Sequence, residues 1–467
     1  MRSKHIARWA GMLAVAFLLV PLSACDEILT VDNPEEIGVG ELDDNALLDA
    51  QVNGVLAAFS DNIAGDESTV IQAAAFLTDE TLTGLNWEDW QRVNQRIVNY
   101  TEGPVDAIWS DQSRIVRTGE ATLEKLDALS ANPATDRRVA LVSVLTAYGY
   151  LFIGETMCQA VFGTPDSLGT TLFTPDEIFP RAIPHFQRAI TVGTAAGADD
   201  IVNLARTGLA RTYLNVADFA NTIAQAQQVT PGFTYWVDYS DANTDLWNNL
   251  FNEVTGSNHT IGVHPAFLNG TFGAQGLVAT QTDPRIQHTS TYTTGHDAST
   301  RLYKPYQGRR YSGYTGATIA SGAVEGTDVI LFETNTDVML ADYNEAQHHM
   351  YEAMLRSGGA EAPVLQFVND RRAVGNEAPV TLSGAALAAE LRRQRARDTF
   401  MAGIRLGDLR RWTRQGVGDF FPSGAHPNPD RPPAVYGPWT CIPLPLEEYE
   451  GNAGLPKPAN PLDPPGI

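Results

Sequence analysis

The sequence predicts a mainly α-helical protein, in which helical hairpins form one large body with a loop-rich excursion and short β pieces. Apolar residues recur at helical spacing from about residue 41 to 230, and in the C-terminal part, residues 331–415, helical pattern returns at about 337–356 and 382–414. Between these parts, residues 231–330 are rich in Gly, Thr, Asn, Tyr and Trp, a composition that favours loops. Residues 416–467 hold 13 of the 27 prolines, so we expect an extended tail that wraps around the body.

Two segments of the first part show the helical pattern most clearly. One has apolar residues at spacings of four, three and four, which places them on one helix face: Leu141, Leu145, Tyr148 and Phe152. The other combines apolar and small residues on one face: Leu204, Gly208, Ala210, Tyr213, Leu214 and Ala217. Because small residues let neighbouring helices approach closely, we expect these helices to stack as hairpins.

A helix start lies between the two segments. Thr174 can cap the helix, Pro175 suits its first position and Glu177 completes a capping box. The predicted helix covers residues 178–190, and Pro180 and Pro184 make its entry irregular. This succession of helix, loop and capped helix is the rhythm of tetratricopeptide-like hairpins.

The net charge is strongly negative. The chain has 32 Lys plus Arg against 55 Asp plus Glu, a formal charge of -23. A surface this acidic repels phosphates, so nucleic acid is not an expected partner. The alternative interpretation is that the acidity only keeps the protein soluble.

The first 24 residues have the pattern of a secretory signal peptide. Arg2, Lys4 and Arg8 precede an uncharged apolar run that ends at Cys25. The sequence around the cleavage point, Leu22-Ser23-Ala24-Cys25, resembles a bacterial lipobox, whose cysteine is lipidated. We therefore expect a lipid anchor on Cys25 and a tether over residues 25–40, which would hold the protein on a membrane. A soluble secreted protein is the alternative.

Two further cysteines, Cys158 and Cys441, would lie outside the cytoplasm, where disulfides persist. Pairing is the favoured interpretation, and two separate buried thiols are the alternative. The chain has no Cys-x-x-Cys and no nearby His pair that would indicate a metal site with them. His348 and His349 lie in a helical stretch and are expected at the surface or in the core rather than on a metal.

The sequence lacks the local motifs of several enzyme classes. It contains no Gly-x-Ser-x-Gly elbow, no His-Glu-x-x-His, no phosphate loop and no dinucleotide fingerprint. We therefore expect no enzyme activity and no cofactor. A glycosidase remains open, because its two carboxylates need no local motif.

The first candidate ligand-binding cluster contains two tryptophans. Trp87 and Trp90 are three residues apart, so on a helix they would share a face. Asn86 and Glu88 beside them offer hydrogen-bonding groups to a sugar or another polar nutrient. The alternative is that the tryptophans pack between helices.

The second candidate cluster is the aromatic content of the excursion. It comprises Tyr235, Trp236, Tyr239, Trp247, Tyr292, Tyr303, Tyr306, Tyr311 and Tyr314. Rigid aromatic side chains on polar, Gly-broken loops are typical of ligand or partner contacts. Within the cluster, the predicted ligand contacts are Trp236, Tyr303, Tyr306 and Tyr311. A structural role is the alternative for each.

Four segments in order resemble the SusD/RagB family of outer-membrane nutrient-binding lipoproteins. They are the lipobox, residues 147–152, residues 205–219 and residues 400–412. The last is the most specific, because five residues fit the family pattern there: Gly403, Arg405, Asp408, Leu409 and Arg411. Ala402 and Leu406 depart from the pattern, so the chain resembles a divergent branch.

The resemblance implies a lipid-anchored protein at the outer membrane, exposed on the cell surface. It would bind an oligosaccharide or a similar nutrient oligomer and pass it to a SusC-like, TonB-dependent outer-membrane transporter. The alternatives are a lipid-anchored helical-repeat scaffold without a small ligand and a glycan hydrolase. Eight arginines lie between residues 392 and 414, and we expect them to bridge carboxylates and hold the C-terminal helices to the body.

Overall fold

Stacked antiparallel helices make up most of the structure, a computed structural model. It describes residues 45–66, 68–163, 169–256, 260–268, 283–289, 292–314, 331–428 and 435–458. The predicted signal peptide, Cys25 and the tether lie outside the described residues. From Asp49 onward the described residues belong to one compact unit.

The N-terminal part is a series of helical hairpins, which confirms the predicted mainly α-helical class. Its helices are α1 Leu48–Ser60, α2 Val70–Phe76, α3 Glu88–Asn94, α4 Gly103–Leu129, α5 Arg137–Thr156, α6 Pro175–Ala196, α7 Asp199–Asn215 and α8 Phe219–Ala226. From α4 to α8, each helix packs against the next. A Cβ on Gly208 of α7 would lie 2.4 Å from the Phe186 ring of α6. Small residues therefore allow the close approach that the sequence predicted.

Helix α5 is more deeply buried than its sequence pattern indicated. The pattern predicted one buried face, but the structure buries every residue from Val139 to Thr156 except the half-buried Leu141. The helix is long and apolar enough to cross a membrane by length and composition, yet it lies inside the protein body. Contacts with α4, α6 and α7 surround it, so it is the core helix of the N-terminal part.

The predicted start of α6 is confirmed. Thr174 and Glu177 form a capping box, in which the Thr174 amide donates to Glu177 Oε2 at 2.8 Å. Pro175 occupies the first turn, and Pro180 and Pro184 lie inside the helix. The helix ends at Gly197, whose positive φ of 68° suits glycine.

Short antiparallel strand pairs connect the helices. The strands are β1 Thr81–Thr83, β2 Ala160–Val161, β3 Leu172–Phe173, β4 Thr234–Val237, β5 Ile261–Val263, β6 Thr293–Thr294, β7 Arg301–Leu302 and β8 Val338–Asp342. They pair as β1 with β5, β2 with β3, β4 with β8 and β6 with β7. Helical pattern was expected from about Asp337, but β8 occupies these positions because it pairs with β4, and Asp342 then caps the next helix.

The remaining helices follow the excursion. They are α9 Leu250–Val254, α10 Tyr343–Arg356, α11 Glu361–Val374, α12 Gly384–Asp398, α13 Arg405–Arg414 and α14 Leu446–Gly451. Helix α11 was not predicted, although Val364, Phe367 and Val368 form a short buried face at helical spacing. Helix α14 is a single short helix in the Pro-rich tail.

A disulfide fixes the tail to the end of α5. Cys158 and Cys441 are bonded, with their Cα atoms 5.0 Å apart. The Cys158 amide also donates to the Ile442 carbonyl at 2.8 Å. The structure therefore contains the disulfide that the sequence favoured, rather than two separate thiols.

Buried ion pairs join the C-terminal helices to the rest of the protein. Arg405 of α13 donates two hydrogen bonds to Asp79, at 2.8 and 2.9 Å. Arg395 of α12 donates to Asp408 at 2.6 Å, and Arg411 reaches Glu352 of α10 at 2.8 Å. These three arginines are buried, so the predicted bridging role of the Arg-rich helices is confirmed.

A buried acid lies next to the Asp79 pair. Glu80 Oε1 accepts a hydrogen bond from the Met401 amide at 3.1 Å, while Oε2 is buried without a hydrogen-bond partner. Burial raises the pKa of Glu80 to about 8, against the opposing charge of Arg405. Asp79 and Glu80 thus tie the segment before β1 to residues 401–405.

Replacing Asp79 by Asn should leave the buried Arg405 without its counterion. We expect a loss of about 3–5 kcal/mol in the free energy of unfolding, measured by chemical denaturation. Asp200→Asn is the matched control, since Asp200 pairs with Arg137 on the surface and should cost less than about 1 kcal/mol. Similar losses in both variants would contradict the role given to the buried pair.

Glu80 should make stability depend on pH in a defined direction. The pKa of Glu80 is higher in the folded protein than the ordinary 4.5. Its stabilising contribution to the free energy of unfolding is therefore fully present below pH 4.5 and is lost as pH rises towards 8. Glu80→Gln removes this ionisation. We therefore expect the variant to gain on the order of 1–3 kcal/mol relative to the unmodified protein between pH 4.5 and 8. Urea denaturation at pH 4, 6 and 8 measures the difference, and a constant difference would refute it.

Candidate ligand-binding surface

Two strand pairs join into one layer, which we call the hairpin layer. It consists of β1 with the loop that follows it up to Trp87, β5, and residues 292–303, which contain the β6–β7 hairpin. β1 and β5 pair with Leu82 opposite Gly262, and Thr293 of β6 faces Leu302 of β7. The Val263 amide donates to the Tyr303 carbonyl at 2.8 Å and so links the two pairs.

Glycines allow the hairpin to sit directly on the loop that follows β1. A Cβ on Gly84 would lie 2.8 Å from the Cα of Gly295 and 2.8 Å from the Leu302 side chain. Gly262 meets the same leucine at 2.8 Å. The Asp297 amide donates to the Gly84 carbonyl at 3.0 Å. The loop carrying Trp87 and the hairpin carrying Tyr292 therefore belong to one tightly packed unit.

Trp87 lies at the edge of this layer and is the most exposed large apolar side chain among the described residues, at 57 %. It precedes α3 in extended conformation, with φ of -81° and ψ of 121°. Asn86 and Glu88 beside it are exposed. These three positions agree with a surface that can contact a ligand.

Trp90 corrects the prediction that the two tryptophans share an exposed face. It is only 2 % exposed and packs edge-on against Phe76 of α2, with ring centroids 5.2 Å apart. Trp87 stands before the helix, so the helical spacing of three residues does not bring the rings together. Trp90 is part of the core.

A second aromatic group lies on the outside of the hairpin. Tyr292 is 45 % exposed, and its ring meets that of the half-buried Tyr303 at an angle, with centroids 6.3 Å apart. The guanidinium of Arg301 lies over the Tyr292 ring at 4.8 Å. Sequence analysis placed Tyr292 in the aromatic cluster but did not select it, because composition alone does not show which tyrosine faces solvent.

Tyr306 and Tyr311 correct the prediction that both contact a ligand. They are 6 % and 2 % exposed. The Tyr311 hydroxyl donates to the Met401 carbonyl at 2.5 Å, and its ring meets Phe332 edge-on at 4.6 Å. Residues 303–311 have the Gly- and Arg-rich composition of an exposed loop, but these contacts hold Tyr311 in the interior.

Trp236 lies on a different strand pair. It is half-buried in β4 and faces Met339 of β8. Neither strand belongs to the hairpin layer, so the structure does not group Trp236 with Trp87 and Tyr292. Of the predicted aromatic contacts, the layer contains Trp87 and Tyr303.

The Pro-rich tail also contributes to the hairpin layer, which sequence analysis missed. The Asn428 side chain donates to the Thr300 hydroxyl in the hairpin turn. His264, just after β5, accepts the Ala266 amide at Nδ1, so its Nε2 donates to the Tyr436 hydroxyl at 2.8 Å. Burial lowers the pKa of His264 to about 4, which keeps the ring neutral. The sequence indication of this contribution is the presence of two aromatic residues, Tyr436 and Trp439, in a tail otherwise rich in proline.

The two consecutive histidines of α10 are core residues. His348 Nε2 lies 2.8 Å from Asp398 and His349 Nε2 lies 3.4 Å from Glu345, and both rings are fully buried. Burial lowers the pKa of each to about 4. Within the described ranges, no group of three or more His, Cys, Asp or Glu side chains is arranged to hold a metal ion.

No protein-family model matches the chain, and no curated protein matches it. Solved structures do match over most of its length. A SusD superfamily protein from Bacteroides fragilis has a TM-score of 0.63 and 15% identity, covering 88% of this chain and 99% of the other. A SusD superfamily protein from Bacteroides vulgatus has a TM-score of 0.62 and 16% identity, with the same coverage of 88% and 99%.

A surface glycan-binding protein A from Bacteroides fluxus is also similar, with a TM-score of 0.60, 13% identity and coverage of 88% and 97%. At this level of identity the likeness concerns the backbone arrangement. The similarity over 88% of the chain agrees with the resemblance found in the sequence. The chain therefore has the SusD-like fold, in a divergent sequence.

Proposed function

We propose that this protein binds an extended oligosaccharide at the hairpin layer and passes it to a TonB-dependent outer-membrane transporter. It acts as a binding protein rather than an enzyme. The observation that carries the proposal is the exposure of Trp87 and Tyr292 on one rigid layer of a SusD-like fold.

Exposed aromatic rings suit sugar binding for a physical reason. The C–H faces of a sugar ring are apolar, and burying them against an aromatic face removes both surfaces from water. Trp87 offers the largest such face among the described residues. Asn86 and Glu88 stand beside it and can hydrogen-bond hydroxyl groups at the edge of the same sugar.

The rigidity of the layer supports affinity. The Val263 amide, the Asp297 amide and the Gly84–Gly295 contact fix the hairpin against the Trp87 loop before any ligand arrives. Binding then orders few protein side chains, which lowers its entropic cost. Trp87 and Tyr292 belong to separate segments of the layer, and we propose that one oligosaccharide contacts both.

The location at the cell surface is part of the proposal. Its support is the lipobox ending in Cys25 and the similarity to a protein described as a surface glycan-binding protein. Several acyl chains on one cysteine would anchor the protein almost permanently. An anchored binding protein can hand a ligand directly to a transporter in the same membrane.

The scaffold alternative is less well supported. An exposed tryptophan suits a protein contact of a scaffold as well as a ligand, so the exposure of Trp87 does not separate the two functions. The similarity to a protein described as a surface glycan-binding protein favours ligand binding.

Replacing Trp87 and Tyr292 by Ala should weaken oligosaccharide binding without affecting the fold. We expect a loss of roughly tenfold or more in affinity for each variant, about 1.4 kcal/mol. Calorimetry against a panel of neutral and acidic hexasaccharides measures affinity, and circular dichroism checks the fold. Leu246→Ala is the matched control, because Leu246 is also exposed, at 50 %, but lies outside the hairpin layer. Unchanged affinity in both aromatic variants would overturn the proposed site.

Purifying the protein from its native envelope should recover a β-barrel transporter, identified by mass spectrometry. Cys25→Ala should move the protein into soluble fractions, since it removes the lipidated residue. Membrane retention of this variant would refute the anchor. Purification of intact protein without any barrel partner would refute the hand-over.

A further inference from the structure

Nearly all positive charge in this protein comes from arginine, and much of it is used in the interior. The chain has 28 arginines and four lysines against 55 acids. Buried arginines pair with buried carboxylates, as in Arg211 with Glu155 and Arg371 with Asp398. Among the described residues, Arg117 and Arg301 are the exposed cations that have no acidic partner.

Arg301 is such a cation, and it lies on the hairpin layer. It is exposed and, among the described residues, takes part in no ion pair and in no side-chain hydrogen bond. Its guanidinium instead lies 4.8 Å over the exposed ring of Tyr292. Lys304, three residues further on, is half-buried and likewise has no carboxylate partner in the described ranges.

Strand geometry fixes the side of the hairpin on which Arg301 stands. Leu302 points inward, because its side chain packs on Gly84 and Gly262. Successive side chains of a strand point to opposite faces, so Arg301 and Tyr303 point the other way. Tyr292 contacts both of them, through the cation–π contact and the ring contact at 6.3 Å. Arg301, Tyr292 and Tyr303 thus form one outward-facing group.

The contact with Tyr292 positions the guanidinium for an anion that offers two oxygens. The ring lies 4.8 Å from the guanidinium carbon, and the N–H donors of the fork have no side-chain acceptor among the described residues. Such a fork binds two oxygens of a carboxylate or a sulfate at once. A neutral sugar can offer two vicinal hydroxyl oxygens to the fork, but it lacks the negative charge that strengthens both hydrogen bonds.

We infer that the Arg301 group selects oligosaccharides that carry negative charge, as a uronic acid carboxylate or a sulfate ester. This inference rests on the proposed glycan-binding function and names the ligand class of the same surface. Trp87 contacts the sugar rings, and Arg301 binds the negatively charged group of the ligand. The net charge of -23 does not prevent this, because charges beyond about 8 Å are largely screened at physiological ionic strength.

The test compares matched hexasaccharides by calorimetry with the full-length protein. The probes are hexagalacturonate, its carboxyl-reduced neutral form, a sulfated galactan hexamer and its desulfated form. We expect the protein to prefer a charged hexamer to its neutral form. Preference for the uronate identifies a carboxylate ligand, and preference for the sulfated hexamer identifies a sulfate ligand.

Variants link this preference to Arg301. Arg301→Gln should lower affinity for the preferred charged hexamer roughly tenfold and leave affinity for its neutral form within about twofold. Arg301→Lys, which keeps the charge but not the fork, should retain part of the preference. Arg117→Gln is the matched control, since Arg117 is exposed on α4, outside the layer, and should leave all affinities unchanged.

The outcomes separate this inference from the proposed function. Equal affinity for charged and neutral hexamers, with binding still dependent on Trp87, overturns the charge selection and keeps glycan binding. An equal loss on both probes in Arg301→Gln also overturns it. If none of the hexamers binds the folded protein, both the inference and the proposed glycan site fail.

Discussion

The buried pairing of Arg405 with Asp79 is the interaction on which the rest of the structure depends. Arg405 begins α13, and Asp79 lies between α2 and β1, so the pair joins two parts of the chain separated by 326 residues. Arg395, Asp408 and Arg411 continue the network to Glu352 of α10. A buried charge without its partner is costly, so each of these side chains specifies where its partner must be.

This constraint reaches the candidate site through β1. Asp79 and Glu80 stand immediately before Thr81, the first residue of β1, and β1 leads through Gly84 to Trp87. The Glu80 carbonyl also accepts the His264 amide at 2.9 Å, just beyond β5. The charged interior thus fixes the start of the hairpin layer, and the layer in turn fixes the exposed rings.

The same network explains the character of the surface. Each buried pair takes one arginine and one acid away from the surface, so the net charge of -23 remains outside and fewer cations lie among the surface acids. On this acidic surface, the exposed Arg301 lies against an aromatic ring and provides a positive charge for a ligand. The disulfide between Cys158 and Cys441 adds a covalent link from α5 to the tail, and the tail contributes Asn428 and Tyr436 to the layer.

Several features were determined by the sequence itself, because they depend on local chemistry or on strong energetic requirements. The capping box at Thr174 is set by neighbours in the chain. The Arg-rich helices had to bridge carboxylates, because so many guanidinium groups cannot be buried unpaired.

Exposure, in contrast, was decided by tertiary structure. Trp87 and Trp90 have similar sequence surroundings, yet Phe76 covers only Trp90, and Met401 and Phe332 hold Tyr311 inside. Whether an aromatic ring faces water depends on what packs against it from distant parts of the chain, and the spacing of residues along the sequence does not contain that information.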